Sequence, residues 1–525
     1  MNKKNIKYFL NINLFLLFTF FIGCSSTQKI ENQNSTQQEK SSWINLDTVK
    51  AGRFDLGKMW TFDYPPKEYF AQEYNFTPSD DWLNNVRMSA LRFASYCSAS
   101  FVSEDGLVMT NHHCARESVT EVSKEGEDLH TNGFYATTLE EERKVPGLFV
   151  DQLVLIKDVT KEVQSAIDSG KTESEKVANK NRKIDELQNK YKEETGLEIS
   201  VVTLYQGGKY SVYGYKRYKD VRLVFAPETQ MWFFGGDYDN FTYPRYDLDC
   251  SFFRVYDEDG KPLKTKNYFK WNPNGAKPGE AVFVVGNPGR TNRLYTIAQL
   301  EYQRDYSYPI TLEMLNGFVD VYSKVIEENP DRAFELQDRL FGFSNSQKVY
   351  VGLLAGLRDP VLLQRKKDFE KKFQAAVNAK PELRSKYGNL WNLIATNKNE
   401  AKKYVFQNAA YTINPFSSTQ YFLIAKDIIN LAEELKLPEE QRAPEYKSYM
   451  LDSTIAEIFP DSFDYSLNDK MLAFNIKFLS MLLGEDNPLI LKFTSGKKGD
   501  EAVKYCLTNS QITTKEKVNT LLKKS

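Results

Sequence analysis

The sequence predicts a β-barrel followed by an all-helical domain, on three observations. Between Trp60 and Ile297, short runs of β-branched and aromatic residues alternate with Gly and Pro, the pattern of strands and tight turns. Beyond Leu300 the spacing becomes that of amphipathic helices, as in Ile424, Ile428, Leu431 and Leu435 ahead of Pro438. Tyr and Phe, at 31 and 35 residues, supply the bulk that a large β-rich core needs.

Taken from the start, Lys3, Lys4 and Lys7 precede an apolar run from Phe9 to Ile22, which reads as an export signal rather than a membrane span. Phe21-Ile22-Gly23-Cys24 resembles a bacterial lipobox, with Phe where Leu is usual. Cys24 is then the lipidated residue, and an ordinary cleaved signal is the alternative. Residues 1–24 are expected to be a lipoprotein-type signal peptide and 25–45 a flexible tether. Residues 46–300 form the barrel and 301–525 the helical domain. The protein is expected to be exported, in the periplasm or anchored to the outer membrane through its lipid.

Within the barrel region the expected strands are Leu148–Ile156, Glu198–Tyr205, Tyr210–Tyr218, Val221–Phe225 and Ala281–Val285. One charged insertion, about Thr172–Thr195, sets Val177, Ile184, Leu187 and Tyr191 on a single helical stripe and stops at Gly196, as a surface helix clamped to the sheet would. A net charge of −1, from 69 basic and 70 acidic residues, supplies no field for nucleic acid. No cofactor is expected.

Two of the three histidines fall in one stretch, Ser98–Ala115. Ala99–Val102 reads as a strand, Ser103-Glu104-Asp105-Gly106 as a turn, Leu107–Met109 as a second strand, and Asn111-His112-His113-Cys114 follows. On an extended segment, adjacent histidines point to opposite faces, so one of them serves a given site. The alternatives are ordinary buried imidazoles or a fragment of a metal site. No HExxH or CxxC pattern accompanies them, and no metal is expected. The arrangement resembles trypsin-like serine peptidases, in which the general-base histidine stands one residue before a cysteine bridged back across the preceding hairpin. That resemblance implies a disulfide between Cys97 and Cys114, leaving Cys250 and Cys506 unbridged.

A general base needs a carboxylate to hold its tautomer. Asp249 opens an apolar run, Cys250–Tyr256, where such a barrel places the orienting aspartate. Asp237, Asp239 and Asp247 lie in turn-forming sequence and read as loop caps or solvated charges.

TNHHCA, GGDYDNFTYPR and VVGNPGRTNR, in this order and ahead of a long helical region, resemble the bacterial dipeptidyl-peptidase 7 and 11 family of serine peptidases. The resemblance implies a chymotrypsin-like double β-barrel with a helical domain between the barrels, and release of dipeptides from peptides with a free N-terminus. For this chain it implies His113 as general base, Asp249 as its orienter, Asn240 as the clamp on the substrate's α-amino group and Phe241 beside it. Gly286-Asn287-Pro288-Gly289 matches as well, and equally reads as a strand-ending turn. A homodimer is among the implied assemblies.

The family's GNSGSP-type serine segment does not occur here. Ser495, in Phe493-Thr494-Ser495-Gly496, lacks the glycines that build an oxyanion hole. The expectation is a truncated member with its second barrel largely missing. A catalytically dead surface lipoprotein that binds peptide N-termini, or an HtrA-like endopeptidase, are the alternatives.

The chain of 525 residues is accordingly expected to resist labelling by a fluorophosphonate serine probe and to leave chromogenic dipeptidyl substrates intact. Stoichiometric labelling of a serine in the folded protein would overturn that expectation.

Overall fold

The computed structural model describes residues 44–52, 55, 57–233, 240–287 and 294–523. Cys24 and the expected signal peptide lie outside these residues. The chain divides into two compact units: Leu56–Leu294, and Met1–Asp55 together with Tyr295–Ser525. The first carries one large antiparallel sheet and the second is helical.

The strands of the sheet are β1 Ala90–Phe93, β2 Cys97–Phe101, β3 Leu107–Thr110, β4 Phe134–Tyr135, β5 Arg143–Lys144, β6 Val150–Asp158, β7 Glu198–Leu204, β8 Lys209–Tyr218, β9 Val221–Ala226 and β10 Ser251–Val255. They are ordered β4-β9-β10-β3-β2-β1-β6-β8-β7, with β5 also on β9. Residues of one parity face the core, as a period of two requires. Leu91, Phe93, Phe101, Val108, Phe253 and Val255 are buried in one cluster, while Ser98, Arg92 and Arg217 alternate to the other face.

The β2–β3 hairpin turns as its sequence suggests. Ser103 Oγ accepts from the backbone N–H groups of Asp105 and Leu107, both at 3.2 Å. Gly106 has φ +69°, and a Cβ there would lie 2.9 Å from the Val255 carbonyl oxygen, so only glycine closes this turn.

Registers fix a polar row across four strands. Ser98 of β2 pairs with Arg92 of β1, Arg92 with Asp151 of β6, and Asp151 with Arg217 of β8. The Asp151 carboxylate is fully buried and takes Arg92 Nη2 at 2.6 Å and Arg217 Nε at 2.8 Å. Two charge-assisted donors offset the desolvation of one carboxylate.

Three helices of this unit matter below: α1 His112–Val122, α2 Glu173–Thr195 and α3 Thr229–Trp232. Helix α2 opens with a Thr172–Glu175 capping box and ends at Gly196, φ +68°. Leu187 and Tyr191 pack with Val159, Val163, Tyr210 and Val212. Val177, expected on the same stripe, is 53% exposed: the buried face covers only the C-terminal part of the helix.

Two other expectations are corrected. Ala281–Val285 forms no strand, and among the described residues its backbone has no hydrogen-bonded partner. Phe283 turns in against Phe70, Phe76 and Trp82, and Val282 and Val284 are exposed. Residues 46–55, expected with the sheet, belong to the helical unit. The Asp368 carboxylate accepts the Ala51 N–H at 2.8 Å and Asp55 accepts from Arg365 Nε at 2.9 Å.

In the helical unit, α4 Tyr308–Glu328, α5 Ala333–Arg358, α6 Gln420–Leu435 and α7 Tyr465–Leu483 are among the long elements. Ile424 and Leu431 of α6 are buried, while Leu435 is 40% exposed. Phe318, Val321 and Tyr322 of α4 pack with Leu336 and Met471. Ser495, in the left-handed region at φ +55°, terminates the helix Pro488–Thr494.

Gly317 sits in α4 where an added Cβ would fall 1.9 Å from the Phe474 ring. Gly317→Ala is therefore expected to destabilise the helical unit by about 1–3 kcal/mol through overpacking. Chemical denaturation would detect this, and an unchanged unfolding midpoint would show that the ring can move aside.

Candidate active site

Strand β3 ends at Thr110, and after Asn111 the chain turns into α1, whose first residues are His112 and His113. The two histidines were expected on extended chain. They occupy a helical first turn instead, where successive side chains diverge by about 100°. The helix start is supported by an acceptor for one N–H of its first turn: the carboxylate of Asp249 takes that of His113.

Ser251 pairs with Thr110 in the β3–β10 ladder. Carrying that register back along β10 sets Asp249 opposite the start of α1. Its Oδ1 accepts the His113 backbone N–H at 3.0 Å, and its Oδ2 lies 2.7 Å from His113 Nδ1. Asn111 Nδ2 donates to Oδ2 at 3.1 Å and to the Asp249 carbonyl at 3.2 Å. The Asp249 side chain is 6% exposed and that of His113 46%. Burial pushes the Asp249 carboxyl up, but the hydrogen bond and charge of the His113 ring, with the His113 backbone N–H, outweigh it and hold the group below the usual carboxylate range. A carboxylate on Nδ1 fixes the ring with its proton there and leaves the exposed side of the imidazole for proton transfer.

Cys114, next in α1, is bonded to Cys97 at the start of β2, with Cα atoms 6.2 Å apart. Closing this loop contributes roughly 3 kcal/mol in the chain-entropy view and ties α1 to the hairpin. Cys97, His113 and Cys114 could offer three metal-ligand atoms within 4.8 Å of one another, but the bond consumes both sulfurs.

His112 is a different group. It is fully buried, its Nδ1 lies 2.8 Å from Ser251 Oγ, and burial drives its pKa down to about 3. The third histidine, His130, sits beside Thr120 Oγ1 at 2.7 Å.

Among the other expected site residues, Asn240 is buried and Phe241 is 59% exposed at φ +63°. Asp237 and Asp239 lie outside the described residues. Asp247 faces Arg245 Nε at 3.3 Å. Asn287 donates its N–H to Ser98 Oγ at 2.7 Å, next to the disulfide, whereas Pro288 and Gly289 lie outside the described residues. Asn111 was missed as a participant. Its place immediately before the histidine pair was its only signal, since its bonds to Asp249 depend on strand register.

The sequence pattern of the family described as Peptidase S46 matches residues 54–525. The chain belongs to this family. Dipeptidyl-peptidase 7 of Capnocytophaga gingivalis is 30% identical over 323 residues, 60% of this chain and 45% of that protein. The Asp/Glu-specific dipeptidyl-peptidase of Shewanella putrefaciens is 31% identical over 384 residues, 70% of this chain and 50% of that protein. This S46 chain thus spans about half the length of the curated relatives it matches. Its fold is similar to that of Porphyromonas endodontalis DPP11, crystallised with the dipeptide Arg-Glu, at a TM-score of 0.64 and 18% identity over 93% of this chain and 69% of that one.

The lowered carboxyl of Asp249 links folding to pH. A group depressed in the folded state stabilises it above the unfolded value, about 3.9 for Asp, and that contribution is lost as pH falls through the folded value. The stability difference between the protein and Asp249→Asn should therefore be constant above about pH 5 and shrink below about pH 4. Urea unfolding across this range measures it, and a difference independent of pH would contradict the pairing with His113.

Proposed function

We propose that this chain carries the base and orienter of a serine-type dipeptidyl-peptidase, with His113 taking the nucleophile's proton and Asp249 holding the ring. The observation that carries the reading is the 2.7 Å contact of His113 Nδ1 with a buried Asp249 carboxylate, beneath a half-exposed imidazole. As the proton arrives on the exposed nitrogen, the imidazolium that forms is stabilised by the carboxylate already in place. Asn240 is the amine clamp of this reading, and the substrates are peptides with a free N-terminus.

No residue of this sequence is assigned as nucleophile. The finer fold in this reading is the chymotrypsin-like first barrel. It is supported by a hairpin that delivers the histidine and an aspartate at the start of the strand paired with that hairpin. Ala281–Val285, whose backbone has no hydrogen-bonded partner among the described residues, suits the opening strand of a second barrel. Export and lipidation at Cys24 belong to the same proposal; among the described residues no helix is long and apolar enough to cross a membrane.

The test uses this chain joined to the C-terminal part of a relative, so that a serine is supplied. His113→Ala should lower dipeptide release on the order of 10⁴-fold or more, with Asp249→Asn comparable. Acetylating the substrate's N-terminus should weaken its turnover at least tenfold, because the Asn240 oxygen then loses its donor. Equal cleavage of free and acetylated peptides would replace the dipeptidyl-peptidase with an endopeptidase. Binding of free dipeptides without turnover in the fused chain would favour a binding protein.

A further inference from the structure

Ser251 pairs with Thr110 in the ladder, and Asn111 and His113 donate to Asp249. Beyond those bonds, Leu248 to Ser251 is held at two flanking points. At one end the Leu248 N–H donates to the Met231 carbonyl of α3 at 2.7 Å. At the other, Ser251 Oγ meets His112 Nδ1 at 2.8 Å. Asp249 lies between these two anchors.

His112 is an unusual choice for its place. It is fully buried, its ring packs on Trp232 with centroids 4.6 Å apart and planes at 39°, and among the described residues its buried Nε2 has no hydrogen-bond partner. An apolar ring would fill the same volume and leave no orphaned nitrogen, which is expensive in a dry site. What an apolar ring lacks is the bond to Ser251. Ser251 is itself fully buried, so without His112 its hydroxyl loses this partner as well. Trp232, the other face of the contact, belongs to the same helix as Met231. The one imidazole therefore touches α3 and β10, and it is covalently adjacent to His113.

We propose that His112 is a positioning residue: by fastening Ser251 and packing on Trp232 it holds Asp249 at bonding distance from His113 Nδ1. This rests on the pairing of His113 with Asp249 advanced under the proposed function. It assigns the two neighbouring histidines separate tasks, one that exchanges a proton and one that fixes the partner of the first. His112 takes no proton in the reaction, because burial keeps it neutral.

The test follows the ring protons by NMR in the whole chain labelled with nitrogen-15 histidine, which has only three histidines to assign. The wild-type protein should show a low-field ring proton for His113, bonded to Asp249. His112→Phe keeps a ring against Trp232 and removes Nδ1; this resonance should then be lost or exchange at least tenfold faster. His112→Asn, whose amide nitrogen can stand where Nδ1 stood, should restore it. Ser251→Ala should repeat the loss without touching either histidine, and covers the case in which His112→Phe does not fold. If the resonance persists in folded His112→Phe and Ser251→Ala, with only the melting temperature lowered, His112 is a packing residue and the proposal is wrong. If it is missing from the wild-type protein, the pairing of His113 with Asp249 fails first, which is a separate result.

Discussion

Antiparallel pairing of β10 with β3 joins two segments that are far apart in sequence, and the site exists only because of it. The Ser251–Thr110 register places one carboxylate opposite the first turn of α1. There Asp249 satisfies a helix N–H, orients an imidazole and receives the amide of Asn111. A carboxylate at a helix start is favoured by the macrodipole as well. The group that orders the base thus also starts the helix that carries it, so local folding and site assembly are the same event. The disulfide to β2 then fixes that helix from its other side.

His113 and Asp249 were legible in the sequence because each has a local mark: a histidine ahead of a cysteine after a hairpin, and an acid that opens an apolar run. Asn111 and His112 were not, because their partners are set by β3–β10 register, and no short window of sequence encodes register. The helical start at His112 escaped for a related reason. Its acceptor comes from Asp249, distant in the chain, rather than from the side chain of its own Asn111 cap. Ala281–Val285 has strand propensity without a strand, since propensity is a property of residues and pairing requires a neighbour. Val177 continues a helical stripe beyond the surface available to cover it.

Environment separates two adjacent residues of one type. His112 is fully buried and stays neutral, while the His113 side chain is half-exposed against an ionised carboxylate. In the same way Cys114 is bridged, whereas Cys250, beside Asp249, keeps a thiol that burial and that negative charge push up, away from reactivity. The chemistry open to each group follows from what surrounds it.

The row Ser98–Arg92–Asp151–Arg217 bears on how the sheet reaches its native state. Slipping β1 by one residue against its neighbours would turn Arg92 toward the core and Leu91 toward the charged row, because side chains alternate strictly along a strand. Such a misaligned intermediate would bury a guanidinium among Phe101, Val108 and Phe253 and leave the carboxylate of Asp151 with Arg217 alone. Errors of alignment in the middle of the sheet are therefore energetically costly. The sheet whose β3 and β10 display the histidine and its aspartate is thus held in register, on β2, β1, β6 and β8, by charges that take no part in the chemistry.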